Sequence, residues 1–248
     1  MSKIDDYRIR LRGLKDWTPL LLKESGLPGP RGNLELAHAV AQEASPRQIK
    51  AFLAISPQGA LENTREVFVV FCGVLGLGRL IAQGDRSQLE ILRGYASDSR
   101  WRIREAVATA LQIVGDADIS LLIREMHRWC KGNWYEKRAA AAGLCEPRLL
   151  NKPATTSAVL DLLDVITHSM VGSADRGTEP FKILRQGMGY CWSVAVAANP
   201  SVGKPLMEKW LKSRDPDVHW ILRENLNKNR LAKMDSRWVK SCLDRLPS

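Results

Sequence analysis

Residues 98–111 read Asp98-Ser-Arg-Trp101-Arg-Ile103-Arg104-Glu105-Ala106-Val107-Ala-Thr-Ala110-Leu111. The apolar side chains at 103, 106, 107, 110 and 111 recur at the i, i+3, i+4, i+7 spacing of one face of an α-helix. The same frame returns 119 positions later as Asp217-x-x-Trp220-x-x-Arg223-Glu224. A weaker copy stands 33 positions after the first, with Trp134, Lys137, Arg138 and Ala139 aligned on Trp101, Arg104, Glu105 and Ala106. Two-helix repeats have periods of about 33 to 47 residues, and 119 accommodates three of about 40. Each helix pair buries only one face alone, so neighbours must stack to complete a core. The expectation is an all-α chain, a right-handed α-solenoid of about five or six antiparallel helix pairs spanning residues 1–248 as one domain. Within the repeat, Asp98 and Asp217 are expected to cap the helices that follow, and the small Ala and Val positions to allow close helix approach.

Outward from this segment the pattern stays helical. Apolar spacing predicts helices near 17–24, 33–44, 46–56, 62–83, 86–96, 99–114, 118–130, 133–145, 155–170, 178–198, 200–213, 216–229 and 235–245. Cap residues or prolines at Asn33, Ser45-Pro46, Asp98-Ser99, Asn133, Asn199-Pro200 and Asp215-Pro216 mark several starts. Strand-like alternation occurs only in Tyr7-Arg8-Ile9-Arg10-Leu11-Arg12, whose arginines read as a small solvated basic arm. The stretch SGLPGPRG at 25–32 breaks the pattern and reads as a proline-fixed turn. A looser stretch at 171–178 reads as a long loop or a boundary between two helical halves.

At these residues the chain resembles the HEAT-like repeat proteins: DSRWRIREAVATAL (98–111) is similar to the second helix of such a repeat, and the likeness runs over residues 86–231. SGLPGPRGNLEL and GYCWSVAVAANP are similar to stretches of uncharacterised bacterial HEAT-repeat proteins. The resemblance implies a scaffold or adaptor, or more distantly a bacterial DNA alkylation repair glycosylase, whose concave face holds tryptophans, a basic lining and an essential aspartate. That family's close pairing of a tryptophan with its catalytic aspartate has no match here, so no catalytic residue is carried over.

The 248 residues carry 37 Lys and Arg against 27 Asp and Glu, a net charge of +10 that favours acidic partners. Residues 201–248 hold half of that excess. The composition excludes disordered, collagen-like and disulfide-scaffold classes. Five dispersed cysteines form no C-x-x-C pair and read as reduced, buried thiols. No secretory leader is apparent, and the longest apolar run, Val67 to Gly78, falls short of the roughly 20 residues a spanning helix needs. A cytoplasmic protein without a membrane partner is expected.

The eight tryptophans equal Phe and Tyr together. Trp101, Trp134 and Trp220 fall in the expected first turn of second helices, beside Arg or Lys, and should line one ridge. Exposed, such a ridge would hold a nucleic-acid backbone or stack on a base; buried, each indole would plug a seam between repeats, with its N–H on a turn carbonyl. Trp129 and Trp210 close first helices and read as seam residues. The basic cluster Arg214, Arg223, Lys228, Arg230, Lys233, Arg237 and Lys240 has the composition of a phosphate-contacting face. The candidate set for nucleic acid or an acidic protein is therefore Trp101, Arg104, Trp134, Arg138, Trp220, Arg223, Lys228, Arg230 and Arg237. Neither a metal nor a cofactor is implied: His127-x-x-Cys130 lacks a second ligand pair, the glycines at 73, 76 and 78 follow no strand and suit close helix approach, and Gly26, Gly29 and Gly32 lack the phosphate-loop Lys-Ser/Thr. The leading function is a non-enzymatic binding scaffold, beside a base-repair glycosylase and a protein–protein adaptor.

Overall fold

The computed structural model describes residues 1–247, and among them every regular element is helical. The α-helices are α1 (Lys3–Arg12), α2 (Thr18–Glu24), α3 (Leu34–Glu43), α4 (Pro46–Leu53), α5 (Arg65–Ala82), α6 (Gln88–Tyr95), α7 (Trp101–Ala117), α8 (Ile119–Trp129), α9 (Trp134–Leu144), α10 (Pro153–Met170), α11 (Glu179–Ala198), α12 (Pro200–Trp210), α13 (Pro216–Leu226) and α14 (Asn229–Asp244). Thirteen fall where apolar spacing places them. Two expected caps hold the first turn with their own side chains at 3.0 and 2.9 Å, Asn33 accepting from Leu36 N–H and Asn133 from Glu136 N–H.

The one unexpected helix is α1, which occupies the only strand-like stretch. Ser2 and Asp5 form a reciprocal capping box that starts it. Helical winding then brings Arg8 and Arg12, one turn apart, onto the same carboxylate, Glu43, at 2.7 and 2.8 Å. Tyr7 donates to Glu24 at 2.8 Å, and Arg10 pairs with the same side chain. The basic arm is thus tied down by two carboxylates of the helices beneath it.

The two expected aspartate caps are corrected. Asp98 stands three residues before α7; it accepts the Arg100 N–H at 2.8 Å and grips the Arg100 guanidinium at 2.8 and 2.7 Å. Asp217 is the second residue of α13, and the cap is Asp215, which accepts from the amides of Asp217 and Val218.

Contacts divide the chain into two compact units, Met1–Ala117 and Asp118–Ser248. In the first, α5 is central and packs on α2, α3, α4, α6 and α7, while α1 lies on α3. Glycines on α5 set these approaches: a Cβ at Gly78 would meet the Ala110 carbonyl oxygen of α7 at 2.6 Å, and one at Gly76 would meet Ile49 of α4 at the same distance. In the second unit, α11 is central between α9 and α13, with α10 and α12 behind it and α14 along α11 and α13. Its core is built on Trp129, Phe181, Met188 and Trp192, the last donating to Thr167 Oγ1 at 3.0 Å. Residues 171–178 lie inside this unit as a 3-10 turn between α10 and α11, pinned where the Gly172 amide donates to Asp215 at 2.9 Å. All five cysteines are buried and unpaired; burial pushes the Cys130 thiol up to about 12. Among the described residues no helix is long and apolar enough to cross a membrane.

Candidate nucleic-acid interface

The nine candidate residues are placed unevenly. Trp101 and Arg104 belong to the first unit and the other seven to the second. Trp101 opens α7 with 47% of its surface exposed. Arg104 is 6% exposed, and its Nη1 donates to the carbonyl oxygens of Asp98 and Ser99 at 2.7 and 2.8 Å. Its guanidinium is turned inward onto the turn before α7, which corrects its assignment to a binding face.

In the second unit the central helix α11 gathers the candidates. Trp134 opens α9 and meets Phe181 of α11 edge-on, with ring centroids 5.3 Å apart. Its indole N–H donates to Asp175 at 2.9 Å, while Lys137, one turn on, lies 4.2 Å from its ring centroid. Further along α11, Gly187 has no side chain where the stem of Arg138 crosses; a Cβ there would sit 3.3 Å from Arg138 Cγ. Gly189 likewise makes room for Trp220 of α13, which a Cβ would meet at 3.0 Å. Arg185 places its guanidinium 4.2 Å over the Trp220 ring. One residue past Gly189, Tyr190 is 45% exposed and carries the Arg230 guanidinium 4.5 Å from its ring centroid, with its hydroxyl also accepting from Arg230. From Phe181 to Tyr190, α11 is bordered by three aromatic rings, each bearing a cation.

Trp220 departs from the expected register. It is the fifth residue of α13, whereas Trp101 and Trp134 are each the first of their helices. The longer sequence match at 119 is therefore out of step in the structure, and the weaker one at 33 is in step. The difference follows from the caps, since Asp215 rather than Asp217 starts α13.

Carboxylates near the band are matched by arginines. Arg185 and Arg176 approach Asp217 at 3.2 and 3.6 Å, and Arg176 donates to Asp215 at 2.7 Å. Burial pushes the Asp215 carboxyl up, but the Gly172 amide and the Arg176 guanidinium outweigh it and leave it below the usual carboxylate range. Burial also pulls the Lys137 ammonium below the usual lysine value. The remaining candidates contribute less: Arg223 donates to the Pro247 carbonyl, Lys228 pairs with Glu224 at 3.4 Å, and Arg237 is exposed on α14.

Lys137, Arg185 and Tyr190 are the band residues absent from the candidate set, although Lys137 aligns on Arg104 in the repeat. The two glycines of Arg185-Gln-Gly187-Met-Gly189-Tyr190 inside a helix were the available signal, because each is a place where a neighbouring side chain crosses. Among the described residues no group of three or more His, Cys, Asp or Glu side chains converges as a metal site would require. Comparison of the chain with protein-family models, with curated proteins and with solved structures found no match.

Proposed function

We propose that the protein is a non-enzymatic binding scaffold whose basic, aromatic band along α11 engages an acidic partner, with nucleic acid favoured. The observation that carries this reading is the cation over each of three rings: Lys137 on Trp134, Arg185 on Trp220 and Arg230 on Tyr190. Such pairs place positive charge for phosphates beside rings that offer bases a stacking surface. The pairing of Asp217 with two guanidiniums favours binding over base excision, since a glycosylase needs a carboxylate free to stabilise the positive charge on the sugar. We further propose that the helices stack as HEAT-like pairs of a right-handed α-solenoid. What supports this is the alternation, within the second unit, of α9, α11 and α13 in one layer with α8, α10 and α12 in another.

The test is a fluorescence-anisotropy titration of the full chain with labelled single- and double-stranded DNA over a series of salt concentrations. Three phosphate contacts predict a log–log slope of about −3 on duplex and about −2 on single strands. Absence of binding at low salt would refute the nucleic-acid reading and leave a protein–protein adaptor.

A further inference from the structure

A cleft of about 170 Å³ opens in the first unit between the 27–34 segment, α5 and α7. Its walls are Phe68 and Phe71 of α5, whose rings lie parallel at 6.2 Å, together with Leu34 and the exposed ring of Trp101. A closed cavity of about 150 Å³ lined by apolar side chains is large enough to take up benzene. The space therefore suits one aromatic ring.

The charged groups lining this cleft are Arg31, Arg102 and Glu105. Arg31 is exposed and without a partner in the protein, and it sits on the segment that forms one wall. Arg102 is nearly buried and engaged: its Nη2 donates to Asn63 and to the Gly29 carbonyl, its guanidinium lies 5.3 Å from the Trp101 ring, and its Nε stands 3.7 Å from the Glu62 carboxylate. Glu105 is the one carboxylate among the lining residues, and Arg102 is offset by Glu62, so Arg31 on the loop wall is the cation there that the protein leaves unengaged. The loop wall is itself fixed, with Asn33 N–H donating to Ser25 O at 2.8 Å and Gly29 N–H to Asn63 at 3.3 Å. Gly26 supplies the left-handed turn, at φ +74°, that this path requires.

We infer that this cleft binds a small aromatic acid, its single ring between Phe71 and Trp101 and its anionic group in the mouth beside Arg31. The ring contributes apolar burial and edge or face contacts to the aromatic walls. The anion supplies the acceptor that Arg31 lacks, and Trp101 gains cover for a ring otherwise open to water. This site is independent of the nucleic-acid reading, because none of the α11 residues takes part in it.

The test is calorimetric titration of the full chain with phenylacetate, 2-phenylacetamide and phenethylamine, which share a ring and differ in charge. Phenylacetate should bind about fivefold tighter than the amide, as expected for one exposed ion pair, and the amine should bind weakest. Arg31→Gln should bring phenylacetate to the level of the amide without changing the amide's affinity, and Trp101→Ala should weaken both. Both positions are exposed, and an unchanged helical circular-dichroism spectrum confirms that each variant is folded. Failure of all three probes to bind saturably, equal binding of the three, or a charge preference that survives Arg31→Gln would each overturn the inference.

Discussion

Arg104 and Asp98 show how a residue that reads as a surface feature becomes internal. Both belong to the repeated Asp-x-x-Trp-x-x-Arg frame, whose spacing says nothing of where a long side chain turns. Arg104 folds back onto the two carbonyls before α7, and Asp98 locks onto Arg100, which also donates to the Ala60 carbonyl at 3.1 Å. Were Asp98 only a cap, Asp98→Asn would keep most of its stability, since asparagine caps equally well. The ion pair, with side chains 9% and 5% exposed, reverses that expectation: Asp98→Asn leaves Arg100 buried without its counter-charge and should cost about 3 kcal/mol. A urea-unfolding loss below about 1 kcal/mol would contradict this. Glu43 carries a second residue-scale prediction. The Arg12 guanidinium, reinforced by Arg8, lowers its carboxyl from 4.5 to about 2. A carboxyl depressed in the folded state stabilises it above pH 4.5, and that contribution is lost as pH falls toward 2. Unfolding midpoints measured from pH 5 to pH 2 should therefore fall less steeply in Arg8→Gln/Arg12→Gln than in the wild type, and parallel profiles would count against the assignment.

At the scale of elements, the helices were legible because their signals are local. Apolar residues at helical spacing, with Asn33, Ser45 and Asn133 at the starts, are read within a dozen residues. The exception, α1, is as instructive: its alternating arginines mimic a strand, yet the capping box at Ser2 and Asp5 was the competing helical signal, three residues apart. The α11 band was half legible. Trp134, Arg138, Trp220 and Arg230 stand out by type, but their meeting depends on which helix lies between them, and that is set by long-range packing. Glycines carry that information in compressed form. Gly78→Ala tests it: alanine favours an isolated helix by about 0.5–1 kcal/mol. Here its methyl would press on the Ala110 backbone, and overpacking of this kind costs about 1–3 kcal/mol. Net destabilisation is the expected result of chemical unfolding, and a variant as stable as the wild type would show that α5 and α7 separate at little cost.

For the whole chain, a charge of +10 overstates the cation available to a partner. Arg8, Arg10 and Arg12 are spent on Glu24 and Glu43, Arg100 on Asp98, and Arg176 on Asp215, while Arg185, over the Trp220 ring, has Asp217 at 3.2 Å and must exchange it for a phosphate. The cations proposed to serve a partner are those on the rings along α11, beside exposed Arg214, Lys233, Arg237 and Lys240. The central claim is that the ring-bound cations make the phosphate contacts, and charge removal there tests it most directly. The measurement is the salt dependence of DNA binding by Lys137→Gln/Arg185→Gln/Arg230→Gln beside the wild type and an Arg8→Gln/Arg12→Gln control. Each lost phosphate contact flattens the log–log slope by about 0.9 on duplex DNA. The α11 variant should therefore lose nearly all of a slope of about −3 while the control keeps it. A triple variant that binds with the wild-type slope would contradict the claim.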